Sequence, residues 1–269
     1  MTLKPPLEAP IDRDVSKQLM AQRYDYRDIL CSLGDTEPCV VPGKPTSFKN
    51  QVRHKVAPRQ QGNRGTCVGQ AKSQYLDAIH YTLTGQEPQG TIQRDLKDGV
   101  AVYDILYDIS YSAQCAYEYS RIEGNVTVPS GSYCNAAIKS MLKRGCCLET
   151  QWRTSKESRA VWATPFPASA EDCQREASTH TIEGYASLRS VEAITDAIWK
   201  HGSCMGAINI FENYMDNGKN SQGLIIGDLQ DPRGQCVGSH ALWFWGYDDQ
   251  ERRLYFNHSW EGWTVEGSI

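Results

Sequence analysis

The stretch that decides the fold of this 269-residue chain is Gln61-Gly62-Asn63-Arg64-Gly65-Thr66-Cys67. A glutamine stands six residues before a cysteine, and the two glycines between them predict a loop that turns tightly. The residues after Cys67 place apolar side chains at helical spacing, and Gly85 follows the last of them. The stretch therefore predicts a loop that leads into a helix, with the cysteine at the helix N-terminus.

These residue types fit the attack of a nucleophile on a carbonyl group. A thiol at a helix N-terminus and beside an imidazolium is expected to have a pKa well below its ordinary value. The side-chain amide of Gln61 and the backbone N–H of Cys67 are candidate donors to the oxyanion, and Gly65 leaves room for a substrate backbone. For a cysteine taken alone, the alternative is a buried structural residue at the start of an ordinary helix.

The stretch resembles the motif Gln-Gly-x-Cys-Gly-Ser-Cys of the papain-like cysteine peptidases, and the resemblance extends from about Ser47 to Ile269. The residues shared with the motif are Gln61, Gly62, Gly65 and Cys67. Arg64 replaces the first cysteine of the motif, which implies that the disulfide formed by that cysteine is absent. Val68 replaces the tryptophan that follows the nucleophile, which removes a packing ring but no reacting group.

A second motif, Ser239-His240-Ala241-Leu242, resembles the His-Ala-Val strand of the same family. The resemblance implies that His240 accepts the proton of Cys67 and later donates it to the leaving amine. It also implies that Ser239 lies at the substrate-binding cleft. About 170 residues separate Cys67 from His240, whereas the family usually has 130 to 150, so we expect insertions. The polar stretch from Gly90 to Asp104 is one candidate insertion.

Two residues are candidates for orienting the imidazole of His240. The chain reads Asn257-His258-Ser259-Trp260 where the family has Asn-Ser-Trp, so alignment on Ser259-Trp260 puts His258 in the orienting place. A shift of one residue restores Asn257 to that place. Alternate residues of a strand share a face, so His258 is expected beside Trp260, and Asn257 faces away unless a bulge intervenes. We take His258 and Asn257 as candidate catalytic residues.

Two further residues are candidates for binding the substrate. Ser112-Ala113-Gln114 resembles the family's Ser-x-Gln before its second helix. The resemblance downstream of it implies that the backbone of Gly131 pairs with the substrate and that Tyr133 lines the cleft. Packing in the core is the alternative for each of these residues.

Helical patterns fill the first half of the chain and strand patterns the second, which predicts an α+β protein. After the helix at Cys67, the predicted helices span Ser112 to Arg121, Asn135 to Arg144 and Val191 to Lys200. The predicted strands span Thr181 to Tyr185, Met205 to Ile210, Leu242 to Tyr247 and Leu254 to Asn257. The resemblance implies a papain-like fold of two lobes, one helical and one an antiparallel β-barrel-like lobe, with the active-site cleft between them.

We divide the chain into an N-terminal arm of residues 1–46 and a papain-like peptidase domain of residues 47–269. The helical lobe covers about 62–164, and the β lobe covers about 165–269 together with 47–61. The arm holds one predicted helix, from Asp14 to Leu30. The family continues for roughly two strands past the point where this sequence reaches Ile269, which predicts an unpaired edge on the β lobe. The arm or a partner protein would cover that edge.

Composition narrows the classes of function. A net charge of −4 gives no basic surface for nucleic acid or an anionic membrane, and no apolar run approaches 18 residues. The first residues lack the apolar core of a signal peptide, which predicts a cytoplasmic protein, with a virion or another assembly as the alternative. Ten cysteines without a CxxC pair favour free thiols, with some disulfides as the alternative. We expect no metal and no cofactor.

Three functions follow from these residues. The first is a cysteine peptidase that hydrolyses a polypeptide substrate through an acyl-enzyme formed on Cys67. The second is a catalytically weak or inactive papain-like protein that serves as a structural or interaction component of a larger assembly. The altered residue opposite His240 motivates this second function. The third is another acyl transfer by the same residues, such as amidase, deamidase or transglutaminase chemistry.

Overall fold

The computed structural model of the protein describes residues 43–56, 59–62, 64–88, 90–97, 100–107, 110–127, 130–152, 170–229, 231–260 and 262–269. The predicted helix from Asp14 to Leu30, and all but the last four residues of the predicted arm, lie outside these ranges. In the described part of the chain, no helix combines the length and the apolar character needed to cross a bilayer.

The helices of the described residues begin and end close to where the sequence predicts. They are α1 (Cys67–Thr84), α2 (Ala113–Glu123), α3 (Cys134–Lys143), α4 (Ala170–Ala177) and α5 (Val191–His201). Gly85 ends α1 in the left-handed conformation with a φ of 70°, and Ser190 caps α5 by accepting the N–H of Ala193 at 3.0 Å. The predicted helices other than the one at residues 14–30 are thereby confirmed, and α4 is an addition.

One six-stranded sheet forms the β lobe. Its strands are β1 (Ser47–Lys49), β4 (Cys204–Phe211), β5 (Ile225–Asp228), β6 (Cys236–Asp248), β7 (Arg253–Asn257) and β8 (Trp263–Ser268). The order is β1-β6-β7-β8-β5, and β4 also pairs with β6. All pairs are antiparallel except β5 with β8. The mixture of helices and sheet confirms the predicted α+β class.

The structure corrects one expectation and adds detail to two others. The residues from Thr181 to Tyr185 form no strand, so that prediction is wrong. The stretch predicted as a polar insertion forms a two-stranded antiparallel hairpin of β2 (Gly90–Lys97) and β3 (Val100–Tyr107). The β-lobe edge predicted to be open at the last strand, β8, is covered by β5 of the same chain. In the described residues β5 then forms the edge of the sheet, and cover of an edge by the arm or a partner protein stays a prediction.

Each lobe of the described residues has its own hydrophobic core. Buried side chains of α2, α3 and α4 form one core, and buried side chains of α5 and the six-stranded sheet form the other. A smaller cluster joins the two, where Val68 and Ala71 of α1 meet Ala137 of α3 and Ala241 of β6. The N-terminus of α1 is thus held between the helical lobe and the central strand of the sheet.

A buried ionic network fixes the chain just before the Gln61 loop. The Arg59 guanidinium donates to Asp77 of α1 at 2.9 Å and to Glu149 at 2.8 Å, and the Arg59 side chain is 4 % exposed. The Asp77 carboxylate also accepts the backbone N–H of Tyr111 at 2.9 Å. Burial raises the pKa of Asp77, although Arg59 opposes the change. Because these charges are removed from water, their pairing decides whether the loop stays in place.

We predict that Asp77→Asn lowers the free energy of unfolding by about 3 kcal/mol, because it leaves a buried arginine without its full counter-charge. Chemical denaturation monitored by circular dichroism measures this loss. The control is Glu87→Gln, which removes the exposed partner of Lys55 and should leave the midpoint unchanged. Equal midpoints for the Asp77 variant and the unmodified protein would contradict a structural role for the network.

Candidate active site

Cys67 is the first residue of α1, and its side chain lies where the two lobes meet. Its half-buried side chain packs against the cluster of Val68, Ala71, Ala137 and Ala241. No side-chain bond from Thr66 caps this end of the helix, so the first amides of α1 remain directed toward the site. The predicted nucleophile therefore stands at a helix N-terminus, against the residue that follows His240.

The side chain of Gln61 is held at both ends. Its carbonyl oxygen accepts the hydroxyl of Ser259 at 2.7 Å, and its amide nitrogen donates to the Arg64 carbonyl at 2.7 Å. The backbone N–H of Gln61 also donates to the Ser259 carbonyl at 2.8 Å. A side-chain amide carries two N–H groups, so one of them has no partner among the described residues. That group is a donor of the kind that an oxyanion needs.

Ser259 is the residue that sequence reasoning missed. Its position in the string Ser259-Trp260 was the only signal, and it served to align the segment and not to assign a function. The structure gives it a positioning role, because its hydroxyl fixes which end of the Gln61 amide carries the oxygen and which the nitrogen. The residue also joins the β lobe to the loop that carries the nucleophile.

The structure brings together two of the predicted substrate-binding glycines. A Cβ on Gly65 would lie 2.0 Å from the hydroxyl oxygen of Ser130 and 3.3 Å from the backbone nitrogen of Gly131, so this close approach requires glycine. The backbone of Gly131 is already engaged, since its N–H donates to the Tyr117 hydroxyl at 3.0 Å and its carbonyl accepts from Arg121 at 2.8 Å. Pairing of Gly131 with a substrate would have to displace these bonds.

The other two predicted substrate-binding residues are Tyr133 and Ser239. Tyr133 is the half-buried residue that immediately precedes α3. Ser239 is half-buried on β6, opposite Asn209 of β4. Nothing in their contacts tests the predicted contact with a substrate, and both assignments stay predictions.

His240 lies on the central strand β6 opposite Ile208, and it is only 2 % exposed. The Trp260 ring covers it, with 4.1 Å between ring centroids and 31° between planes. Its Nε2 is buried and has no hydrogen-bond partner among the described residues. The nitrogen that an orienting residue would hold is therefore unpaired in this structure.

The side chains of the two candidate orienting residues make different contacts. The Asn257 side-chain oxygen accepts the indole N–H of Trp245 at 2.9 Å, so this side chain turns away from His240. The His258 ring stacks near His240, with 6.0 Å between centroids and 23° between planes. Neither of its ring nitrogens has a hydrogen-bond partner in the described part of the chain. His258 and Trp260 follow the end of β7, and their rings stack with 5.6 Å between centroids. Neither candidate is hydrogen-bonded to His240.

Burial sets the charge of the site. It lowers the pKa of His240 well below the usual 6.5, with a smaller contribution from His258, and it lowers the pKa of His258 to about 4. Burial also raises the pKa of the Cys67 thiol, although three backbone N–H groups oppose it. All three groups are therefore favoured as neutral at pH 7. This is opposite to the thiolate–imidazolium pair that the sequence predicts.

No protein-family model and no curated protein matches the sequence. Solved structures do resemble the protein. Xylellain, a cysteine protease from Xylella fastidiosa, superposes with a TM-score of 0.64 at 20 % identity over 86 % of this chain and 82 % of its own. The chain has the papain-like fold. Digestive procathepsin L 3 of Tenebrio molitor gives a TM-score of 0.55 at 17 % identity over 86 % and 67 % of the two chains. A structure from work on the mite allergens Blo t 1 and Der p 1 gives a TM-score of 0.59 at 19 % identity, over 96 % of this chain and 76 % of its own.

The burial of His258 predicts a pH-dependent stability that a substitution removes. In the folded protein its pKa is about 4, whereas in the unfolded chain it is near 6.5, so the unfolded state binds the extra proton first as the pH falls. Unfolding should therefore become easier between pH 6.5 and 4. From pH 7.5 to 5 we expect His258 to account for a loss of about 2 kcal/mol that His258→Phe abolishes.

Thermal unfolding at pH 7.5 and pH 5 measures this difference. The control is His54→Phe, because His54 is exposed, and it should keep the pH dependence of the unmodified protein. The same loss of stability in the His258 variant as in the unmodified protein would show that His258 is not held neutral by the fold.

Proposed function

We propose that the protein is a cysteine peptidase that hydrolyses peptide bonds through an acyl-enzyme formed on Cys67. The observation that carries the proposal is the position of Cys67 at the N-terminus of α1, where its side chain packs against the cluster that contains Ala241, the residue after His240. Gln61, fixed by Ser259, supplies an amide donor on the same loop. Nucleophile, proton carrier and oxyanion donors are the parts that acyl transfer requires.

In the proposed cycle, the Cys67 sulfur attacks the carbonyl carbon of the peptide while its proton passes to His240. Nε2 of His240 is buried, so we assign Nδ1 to this transfer. The oxyanion accepts hydrogen bonds from the Gln61 amide and the Cys67 backbone N–H. His240 then protonates the leaving amine as the C–N bond breaks, and the acyl group remains on sulfur as a thioester. Water deprotonated by His240 cleaves the thioester and restores the thiol.

The neutral state of the buried His240 and of the half-buried Cys67 shapes this cycle. A neutral His240 is a base that can accept the thiol proton, whereas a protonated one could not. Because burial disfavours both a thiolate and an imidazolium, the charge on sulfur develops as the attack proceeds and not before it. A substrate that supplies polar groups to the site would lower the cost of that charge.

A covalent probe tests the proposal directly. The protein is treated with a cysteine-protease epoxide probe, digested, and mapped by mass spectrometry. We expect an adduct on Cys67 and none on Cys236, which is the exposed thiol that reports simple alkylation. Cys67→Ala should abolish both labelling and hydrolysis of a peptide library, and product masses would separate hydrolysis from deamidation or cross-linking. An unlabelled Cys67 beside a labelled control protease would contradict the proposal.

Gln61→Glu should lower kcat by about 10²- to 10³-fold with little change in KM, because it keeps the shape of the side chain and removes its N–H donors. Steady-state hydrolysis of a peptide substrate measures the effect. The matched control is Gln86→Glu, a change of the same kind at an exposed position beyond the end of α1, which should leave kcat unchanged. Unchanged kcat in the Gln61 variant would exclude it from the oxyanion site.

A second function is favoured by one observation, the absence of a hydrogen bond from either Asn257 or His258 to His240. A site without an orienting partner suits a papain-like protein that acts through binding and not through catalysis. This alternative predicts an unlabelled Cys67 and no hydrolysis in the same probe experiment.

A further inference from the structure

Three cysteines outside the candidate active site meet in the core of the helical lobe. They are Cys115 on α2, Cys147 in the segment after α3, and Cys173 on α4. All three are fully buried, and their sulfur atoms lie within 4.8 Å of one another. The cluster therefore joins three elements of the lobe at one point, and the proposed reaction uses none of its members.

Within this cluster, one pair of sulfur atoms is much closer than the 4.8 Å within which all three lie. Cys147 and Cys173 have 2.9 Å between their sulfur atoms. A disulfide bond has a length of about 2.05 Å, so a movement of roughly 0.9 Å would close the pair. The sulfur of Cys115 is occupied differently, since it accepts the backbone N–H of Cys147 at 3.4 Å.

A metal site fits the same atoms less well. Zinc bound by thiolates at about 2.3 Å in a tetrahedron holds its sulfurs roughly 3.8 Å apart, which is wider than the 2.9 Å seen here. A structural zinc site also needs four ligands, and the described residues place three potential ligands in this cluster. Distance and ligand number both favour a covalent bond between two of the cysteines over a shared ion.

Contacts in the docked lobe pair these two cysteines. The Cys173 thiol is directed at the Cys147 sulfur, whereas the Cys115 sulfur accepts the N–H of Cys147. Two sulfur atoms that the fold brings together in this way are placed for the last step of thiol–disulfide exchange.

We propose that Cys147 and Cys173 form a disulfide that fastens α4 to the helical lobe. The bond would close a loop of about 27 residues and so restrict the unfolded chain. Apart from the sulfur pair, the contacts of α4 include the Glu176 carboxylate, which accepts the N–H of Leu148 at 3.1 Å. A covalent bond would make the position of α4 independent of such weak polar contacts.

The oxidant is a small-molecule disulfide such as oxidised glutathione. The Cys173 thiolate attacks one of its sulfurs, which forms a mixed disulfide and releases one glutathione thiolate. Cys147, deprotonated, then attacks the Cys173 sulfur and releases the second glutathione. Two protein thiols are oxidised and one glutathione disulfide is reduced, and the two protons lost by the protein thiols end on the two glutathione thiols. Because the sulfurs are fully buried once folded, the exchange takes place before α4 docks.

Peptide mapping tests the bond. The protein is refolded in a glutathione redox buffer, unfolded in guanidinium with excess iodoacetamide and no reductant, and digested for mass spectrometry. We expect a cross-linked peptide pair that contains Cys147 and Cys173, with Cys115 and Cys146 alkylated. Alkylation of both Cys147 and Cys173, or a cross-link through Cys115, would overturn the proposal. So would one equivalent of zinc that co-purifies with the protein and is retained by the refolded chain.

Thermal unfolding gives a second readout. Protein refolded in the redox buffer should melt about 10 °C above protein refolded and kept in reductant. The double variant Cys147→Ala/Cys173→Ala should show no such difference, whereas the control Cys146→Ala, at the neighbouring buried thiol, should keep it. A difference that survives in the double variant would overturn the assignment. Neither experiment measures peptidase activity, so both are independent of the proposed function.

Discussion

The hydrogen bond between Ser259 and Gln61 is the interaction on which the site depends. The two residues are 198 positions apart, and their side chains join the loop before α1 to the segment after β7. The bond selects one orientation of an amide whose two ends differ only in which atom donates. With the opposite orientation, an oxygen would face the place where negative charge develops. Under the proposed function, a single buried hydroxyl therefore holds the Gln61 amide in the orientation that an oxyanion needs.

Desolvation is the second constraint, and it acts against charge separation. The rings of His240, His258 and Trp260 form a stack inside the β lobe, and Trp263 packs against His258. Such a stack excludes water, and an imidazolium within it has no carboxylate among its described contacts to compensate its charge. The same aromatic packing that orders the site thus keeps its titratable groups neutral. The packing that orders the site therefore disfavours the charges that the proposed reaction develops. In the proposed cycle, polar groups of a bound substrate lower the cost of those charges.

The sequence predicts the local features well. The start of α1 at Cys67 follows from a glycine-containing loop and an apolar period, and the caps of α5 follow from Ser190 and Gly202. The different facing of Asn257 and His258 follows from the pleat of a strand. Each of these depends on neighbours within one turn or one strand. These features can therefore be predicted without knowledge of the tertiary structure.

The features that the sequence does not predict depend on distant parts of the chain. The helix end predicts a lowered pKa for the Cys67 thiol, but desolvation outweighs the backbone N–H groups and raises it. The role of Ser259 requires knowledge of which side chain it meets. The pairing of β5 with β8 requires the whole sheet, because parallel neighbours are separated along the chain by other strands.

The distance along the chain between Gln61 and Ser259 also sets an order of events during synthesis. The nucleophile and its helix leave the ribosome early, whereas the residue that orients the oxyanion donor leaves almost 200 residues later. Domains fold as their segments emerge, at roughly 5 to 20 residues per second, so the gap lasts about 10 to 40 seconds. During that interval Cys67 is present without the bond from Ser259 to Gln61. Under the proposed function, the oxyanion donor is therefore fixed only after most of the chain has been made.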